Sequence, residues 1–144
     1  MSKVALRPAT ELDREFVALV TEACMREYVE LTWGHWQSSP PEDFLPAIHQ
    51  IIQCDGDEIG CVALLEEAEA LMLKTFYILP SHQNRGIGAF LMREIIERAR
   101  ASGKPIQLRV LCVNPARRFY ERHGFVVTRS TDERHFMSRT ASSL

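Results

Sequence analysis

Hydrophobic and polar positions along the chain switch several times between a two-residue and a 3.6-residue period. Residues 4–8 alternate and then meet a proline, which predicts a short strand, and apolar residues recur at helical spacing over about 11–28. Further strands are predicted at 50–54, 58–65, 71–79, 106–113, 125–127 and 134–137, and further helices at 88–102 and 116–123. A short helix could also run over 41–49, where Pro46 would lie early in it or break it. This order of elements predicts an α/β protein, with a mixed sheet and helices on both of its faces.

Residues 71–91 join a predicted strand to the clearest helix through a loop that contains two glycines, Gly86 and Gly88. The first turn of such a helix exposes unpaired N–H groups at the positive end of the helix dipole. Glycine lets the backbone turn sharply and lets an anion approach it closely. No Gly-Lys-Ser/Thr follows, as in a P-loop, and Leu91 stands where a dinucleotide-binding loop has its third glycine. The stretch therefore predicts a phosphate or pyrophosphate site of another kind.

Composition narrows the class of protein. The 144 residues suggest one domain, and with 46% hydrophobic and 25% charged residues the chain can build a core and remain soluble. A net charge of -2 argues against a basic face for nucleic acid. The four cysteines form no CxxC pair and no metal-ligand spacing, and no secretory signal or membrane-length apolar run is visible. We therefore expect reduced thiols, no metal and a cytoplasmic protein.

Two motifs resemble the GNAT superfamily of N-acetyltransferases. The first, Q-N-R-G-I-G at 83–88, is similar to the Q/R-x-x-G-x-G/A loop with which that family holds the pyrophosphate of acetyl-coenzyme A. The second, at 110–125, is similar to the family's ending and contains Asn114, Tyr120 and Gly124. The resemblance covers about residues 3–138. It implies a single GNAT domain over 1–144, with a twisted, mostly antiparallel sheet of about seven strands that splays between its two central strands.

The resemblance also implies an activity. Members of the family move the acetyl group of acetyl-coenzyme A directly to a primary amine, without a metal, and the acceptor here could be a small-molecule or a protein amine. Dimers are common in the family, so a homodimer is compatible with the resemblance. A rival hypothesis from another class is a non-catalytic module that binds acyl-coenzyme A and reports its level to a partner.

The resemblance assigns cofactor contacts residue by residue. Backbone groups at the end of the strand before the loop would pair with the pantetheine arm, and the loop would hold the pyrophosphate through Gln83 and a run of N–H groups. Asn114 would bind the pantetheine arm. The full expected set is Phe76, Tyr77, Ile78, Gln83, Arg85, Gly86, Ile87, Gly88, Ala89 and Asn114, and Arg85, Arg117 and Arg118 are the cations that could reach phosphates.

Tyr120 matches the general acid of the family. Acetyl transfer to an amine passes through a tetrahedral oxyanion and expels a thiolate. A phenol, with a pKa of about 10, stays protonated at neutral pH and can donate to the leaving sulfur. Without the motif around it, Tyr120 would as well be a core tyrosine on a short helix.

Neither motif fixes the general base. Met72 and Arg109 stand where members of the family place an acid. Glu30 is the first candidate, followed by His35 and His135, and a relay through ordered water is an equal alternative.

Residues 28–36 hold two tryptophans, a glycine and a histidine off any clear period, which predicts an irregular segment. Trp33 and Trp36, with His35, could form a satellite core or line the acceptor pocket, and the resemblance favours the pocket. With Glu30 and the pair Glu42-Asp43 nearby, such a pocket would suit a cationic acceptor.

Overall fold

The structure is a computed structural model that describes residues 2–38, 40 and 43–141. These residues form seven strands and three α-helices, none of which is long and apolar enough to cross a membrane. In chain order they are β1 Val4–Pro8, α1 Arg14–Trp33, β2 His49–Cys54, β3 Asp57–Glu66, β4 Leu71–Ile78, α2 Ile87–Ser102, β5 Ile106–Leu111, α3 Ala116–Arg122, β6 Val126–Ser130 and β7 Arg134–Arg139.

The strands form one mixed sheet in the order β1-β2-β3-β4-β5-β7-β6. Every neighbouring pair is antiparallel except β4 and β5, which are parallel and share only two register pairs, Leu71 with Ile106 and Met72 with Gln107. Beyond these pairs the two strands diverge, so the sheet opens at its centre. The expected α/β class and the splayed, mostly antiparallel sheet of a GNAT fold are therefore confirmed.

The helices cover the two faces of the sheet. On one face, α2 and α3 pack on the core formed by β4, β5 and β7, where Leu71, Met92, Ile106 and Met137 are almost fully buried. On the other face, α1 packs through Val20 on β2 and β3. Burying one such aliphatic side chain contributes about 1.5–3 kcal/mol to stability. The two cores therefore hold in place the strands that border the central opening.

A β-bulge in β4 lies at the start of the opening, directly after the last pair with β5. Leu64 of β3 faces Leu73, but the preceding Ala63 faces Thr75, so Lys74 has no partner in β3. One extra residue reverses which face each following side chain takes. Leu73 packs toward α2, and after the bulge Phe76 takes that face, while Thr75 turns toward α1.

Helix α1 is longer than predicted. It includes Trp33, so the part of the aromatic segment that we expected to be irregular is mostly helical. The helix begins after a capped 3₁₀ turn, in which the Thr10 hydroxyl accepts from the Leu12 N–H at 3.2 Å. It ends at Gly34, whose φ of 88° lets its N–H bond back to the Glu30 carbonyl at 2.8 Å. A glycine stop, and not the aromatic residues, sets the end of the helix.

The predicted helix at 41–49 is wrong in its described part. A 3₁₀ turn, Pro46–Ile48, is followed directly by β2, and residues 41 and 42 lie outside the described residues. Leu45 is extended, as the residue before a proline prefers to be, so a helix cannot run through this point.

Candidate active site

A cavity of ≈ 470 Å³ lies between the diverging end of β4, the first turn of α2 and one side of α3. It is large enough for a good part of a cofactor-sized ligand. The residues around it are Phe76, Ile78, His82, Gln83, Asn84, Gly86, Gly88, Ala89, Pro115, Ala116, Phe119, Tyr120, Arg122 and His123.

Unpaired N–H groups face this cavity at the start of α2. Gly86, with a φ of 81°, precedes the helix, and its carbonyl accepts the first helical bond from Phe90 at 3.0 Å. The N–H groups of Ile87, Gly88 and Ala89 therefore have no acceptor within the part of the chain that the structure describes. Together with the helix dipole they form a place where an anion is stabilised.

The loop before α2 is tied to the end of β4. The Gln83 side-chain amide donates to the Ile78 carbonyl at 2.8 Å, and the Cys24 thiol of α1 donates to the same oxygen at 3.2 Å. Asn84 adopts a left-handed conformation, with a φ of 61°. Gln83 therefore fixes the position of the loop relative to the sheet.

The end of β4 has one open edge. Phe76, Tyr77 and Ile78 pair with β3 on one side, but β5 has already diverged on the other. Main-chain groups at such an edge can pair with the amides of an extended ligand, as an added strand would.

Tyr120 lies on α3 at the inner end of the cavity. Its ring contacts Phe119 and Phe125 edge-on, with centroids 5.5 and 5.7 Å away. Burial raises the pKa of the phenol, and the nearby Tyr77 raises it further, so the hydroxyl keeps its proton. Among the described residues, every fully buried side-chain oxygen has a hydrogen-bond partner, whereas the Tyr120 hydroxyl has none. The hydroxyl is therefore not fully buried, and it opens to the cavity that Tyr120 lines.

Two further polar side chains of α3 and its end face the same cavity. Burial lowers the pKa of His123, and the positive charges of Arg93, Arg122 and Arg139 lower it further. The His123 ring packs on Phe119 with centroids 4.6 Å apart. Arg122 thus supplies a fixed positive charge beside a histidine that prefers to be neutral.

A second cavity of ≈ 510 Å³ lies on the opposite face of the sheet, beside α1. Tyr77 lines it, and burial raises the pKa of its phenol to about 12, with Cys61 and Cys24 as smaller causes. Residues of both strands line it, Thr75 and Tyr77 of β4 and Arg109 of β5, so this cavity lies beside the opening between β4 and β5. The lining residues are Arg14, Val17, Ala18, Thr21, Trp36, Ser38, Pro40, Asp43, Phe44, Leu45, Ile48, His49, Lys74, Thr75, Tyr77 and Arg109.

The structure brings seven of the residues proposed from the sequence together around the first cavity: Phe76, Ile78, Gln83, Gly86, Gly88, Ala89 and Tyr120. Tyr77 faces the second cavity, Arg85 is exposed, and Ile87 is buried in the core. Asn114 does not line this cavity, and its side-chain oxygen accepts from the Ala116 N–H at the start of α3, at 2.9 Å.

The candidates for the general base are dispersed. Glu30 lies on the outer side of α1, where its carboxylate pairs with Arg26 at 3.4 Å, and it lines neither cavity. His135 bonds to the Ser130 hydroxyl at 2.7 Å, and His35 is exposed. Trp36 does line the second cavity, as the resemblance suggested.

The sequence interpretation missed several residues of the first cavity. Phe119, Arg122 and His123 lie inside the second motif, but only the position of α3 shows which of its side chains face the cofactor side. The available signal was their spacing: Arg122 and His123 follow Phe119 by three and four positions, which puts all three near one face of a helix. No cluster of three or more His, Cys, Asp or Glu side chains suited to a metal ion occurs in the described ranges.

Comparisons with known proteins agree with this geometry. The family model of the Acetyltransferase (GNAT) domain matches residues 46–127, which is more than half of the chain. A comparison with curated protein sequences gives no significant match. The chain therefore belongs to the GNAT family of acetyltransferases.

Solved structures with the same fold are distant in sequence. The PaiA N-acetyltransferase of Thermoplasma acidophilum, solved with coenzyme A, has a TM-score of 0.75 at 18% identity, over 96% of this chain and 99% of that one. The ribosomal-protein-S18-alanine N-acetyltransferase of Escherichia coli has a TM-score of 0.74 at 15% identity, over 99% and 96%. The N-acetylglutamate synthase of Neisseria gonorrhoeae, solved with coenzyme A and L-arginine, gives 0.68 at 22% identity, over 97% of this chain but 34% of that one.

Proposed function

We propose that the protein is an N-acetyltransferase that moves the acetyl group of acetyl-coenzyme A directly to a primary amine, with Tyr120 as the general acid. One observation carries the proposal: the Tyr120 hydroxyl opens into the same cavity as the unpaired amides at the start of α2. An anion held at those amides and a thioester beside that phenol are the two ends of one extended cofactor. The coenzyme A in the PaiA structure supports this choice of co-substrate.

In this mechanism the chain holds the cofactor at three places. The amides of Gly88 and its neighbours bind the pyrophosphate, with Arg122 as an additional cation, and the open edge at Phe76 and Ile78 pairs with the pantetheine arm. The carbonyl of the thioester then lies in the opening between β4 and β5. Asn114, whose side-chain oxygen accepts from the Ala116 N–H, stays a proposed contact of the pantetheine arm.

The transfer forms one bond and breaks another. The neutral amine nitrogen attacks the thioester carbon and forms the tetrahedral intermediate, the carbon–sulfur bond then breaks, and Tyr120 donates its proton to the departing sulfur. The amine also loses a proton. Because Glu30 pairs with Arg26 outside both cavities, we assign this proton to water in the second cavity and leave Glu30 as the weaker hypothesis.

We also propose that residues 1–144 act as one catalytic domain. The coverage of both chains in the comparisons with the Thermoplasma and Escherichia proteins supports this. This function applies equally to a small-molecule amine and to a protein amine as the acceptor.

The proposal is tested with Tyr120→Phe, which removes one oxygen and keeps the ring packing. Calorimetric titration should show unchanged acetyl-coenzyme A affinity, whereas kcat for acetylation of an amine panel should fall roughly 100- to 10,000-fold, the range for a lost general acid. Mass spectrometry of the acetylated products avoids a background from the exposed thiol of Cys112. A matched control is Tyr28→Phe, since Tyr28 lies on α1 and lines neither cavity.

The same experiment distinguishes the rival function. If the wild-type protein binds acetyl-coenzyme A tightly and acetylates no amine on the panel, a binding module becomes the better explanation. An unchanged rate in Tyr120→Phe would reject Tyr120 as the acid while leaving the transfer activity standing.

A further inference from the structure

The cavity beside α1 has an unusual balance of charge. Arg14, Lys74 and Arg109 line it, whereas Asp43 is the one carboxylate among its described lining residues, and Asp43, Lys74 and Arg109 are all exposed at its mouth. Arg14 is already engaged by Glu11 and lies over the Phe44 ring, 5.9 Å from its centroid. The remaining positive charge is therefore concentrated on Lys74 and Arg109.

Lys74 and Arg109 reach this cavity for different structural reasons. Lys74 is the unpaired residue of the bulge in β4. Arg109 lies between Leu108 and Val110, which face the core under α2, so the alternation of β5 directs Arg109 to the α1 side. Within the described residues, no carboxylate lies within ion-pair distance of either cation.

This cavity also has the correct position for an acceptor. It adjoins the opening between β4 and β5, because Thr75 and Tyr77 of β4 and Arg109 of β5 line it. A nucleophile that enters here approaches the thioester from the face opposite the cofactor. Its volume of ≈ 510 Å³ suits a small molecule.

We propose that the acceptor is a small amine that also carries a carboxylate, of the size of an amino acid, and that Lys74 and Arg109 bind this carboxylate. The inference rests on the proposed acetyltransferase function and names its substrate class. Arginine binds a carboxylate through two parallel hydrogen bonds, and lysine adds a compact positive charge. Both cations would repel an acceptor whose only charge is its ammonium group. The proposed acceptor with a carboxylate therefore replaces the cationic acceptor that we expected from the aromatic segment.

The test compares matched acceptors that differ only in the carboxylate. Standard amino acids and their carboxamides are offered at equal concentration with acetyl-coenzyme A, and acetylated products are measured by mass spectrometry. We expect kcat/KM to be roughly 10- to 100-fold higher for at least one amino acid than for its amide, the range for one lost charge-assisted hydrogen bond.

Substitutions of the two cations test whether Lys74 and Arg109 bind the acceptor carboxylate. Lys74→Met and Arg109→Met should each raise KM for the amino acid roughly 10- to 100-fold, should not slow the reaction of its amide, which the cation repels, and should leave the KM of acetyl-coenzyme A unchanged. Lys3→Met is the matched control, because Lys3 is exposed on the far edge of the sheet and should change none of these values.

Binding without turnover provides a second measurement. Protein saturated with coenzyme A is titrated calorimetrically with the same amino acids and amides. Amino-acid binding that is lost in Lys74→Met and Arg109→Met supports the proposal even if the reaction is slow. If amides or diamines react or bind as well as amino acids, or if no amino acid binds at millimolar concentration, the proposal is wrong. Acetyl-coenzyme A that fails to bind at all would instead reject the proposed function.

Discussion

At the scale of single residues, burial favours the neutral forms of two side chains of the cofactor cavity, Tyr120 and His123. It raises the pKa of Tyr120, which holds a proton ready for the leaving sulfur, and lowers the pKa of His123, which favours the neutral imidazole with a single ring proton. The fixed charges are left to Arg122 and to the amides of α2. A cavity of this kind suits a polyanion whose reacting end is neutral.

The lowered pKa of His123 predicts a loss of stability in mild acid. The unfolded chain takes up this proton near pH 6.5, whereas the folded protein does so only at a lower pH. The contribution of neutral His123 to the free energy of unfolding is therefore fully present above pH 6.5 and is lost as the pH falls toward the pKa of the folded protein. We expect urea unfolding measured between pH 8 and pH 5 to show this decrease, and His123→Gln to reduce it.

An electrostatic control for the histidine prediction is available on α2. Arg93 lowers the pKa of His123, so Arg93→Gln should raise it, as an NMR titration of the imidazole protons can measure. A wild-type His123 that titrates at or above pH 6.5 would contradict the prediction.

The candidate site was predictable where its function depends on local sequence. Gly86 and Gly88 open a helix after a strand, and Tyr120 follows in a second motif, so both features are visible within short windows. The contribution of Lys74 was not visible. The run at 71–79 is almost entirely apolar and has no alternation, so its sequence does not show where a bulge reverses the side-chain directions.

At the scale of elements, periodicity predicted the strands well and one helix end poorly. The alternation in β5 follows from sequence pattern alone, because one face of that strand packs on a core, whereas β1 was predicted correctly although none of its residues is fully buried. The extension of α1 through Trp33 depends on the left-handed conformation of Gly34, a stop signal that the neighbouring aromatic residues obscured. At 41–49 the sequence left open whether Pro46 would lie early in a helix or break it, and the extended conformation of Leu45 before the proline shows the break.

The pairing of β3 with β4 predicts that Gly60 tolerates no side chain. A Cβ atom at Gly60 would lie 2.1 Å from the Tyr77 carbonyl oxygen, and backbone on both strands would have to move. We expect Gly60→Ala to reduce the free energy of unfolding by about 1–3 kcal/mol, the usual cost of overpacking. Urea denaturation gives the value, and a lower acetyl-coenzyme A affinity should accompany it because Tyr77 lies at the open edge.

Gly88 supplies the matched control for this substitution. A Cβ atom there meets the Phe119 ring at 3.5 Å, an ordinary contact, and alanine is favoured over glycine in a helix by about 1 kcal/mol. Gly88→Ala should therefore unfold at the same urea concentration as wild type or a higher one. Equal midpoints for wild type and Gly60→Ala would show that β3 and β4 are not held as closely as the structure indicates.

At the scale of the whole molecule, the opening between β4 and β5 makes the sheet incomplete without a ligand. The two strands share only the pairs at Leu71 and Met72, so the backbone from Phe76 to Ile78 has one unpaired edge at the centre of the fold. A cofactor that pairs with this edge supplies part of the missing strand contacts. Binding and folding are then linked, and ligand at about 100 times its Kd adds about 2.7 kcal/mol to stability.

This linkage predicts where acetyl-coenzyme A slows hydrogen exchange. At short exchange times, the amides of β4 beyond the bulge and those at the start of α2 should gain protection, because the ligand bonds to both. Amides of β1, on the far edge of the sheet, should change little under the same conditions. Deuterium uptake of peptides from residues 71–91 and 2–8, with and without cofactor, measures this contrast. Protection confined to the start of α2 would mean that the cofactor leaves β4 unpaired, and the arrangement in which the thioester lies between Tyr77 and Tyr120 would then be wrong.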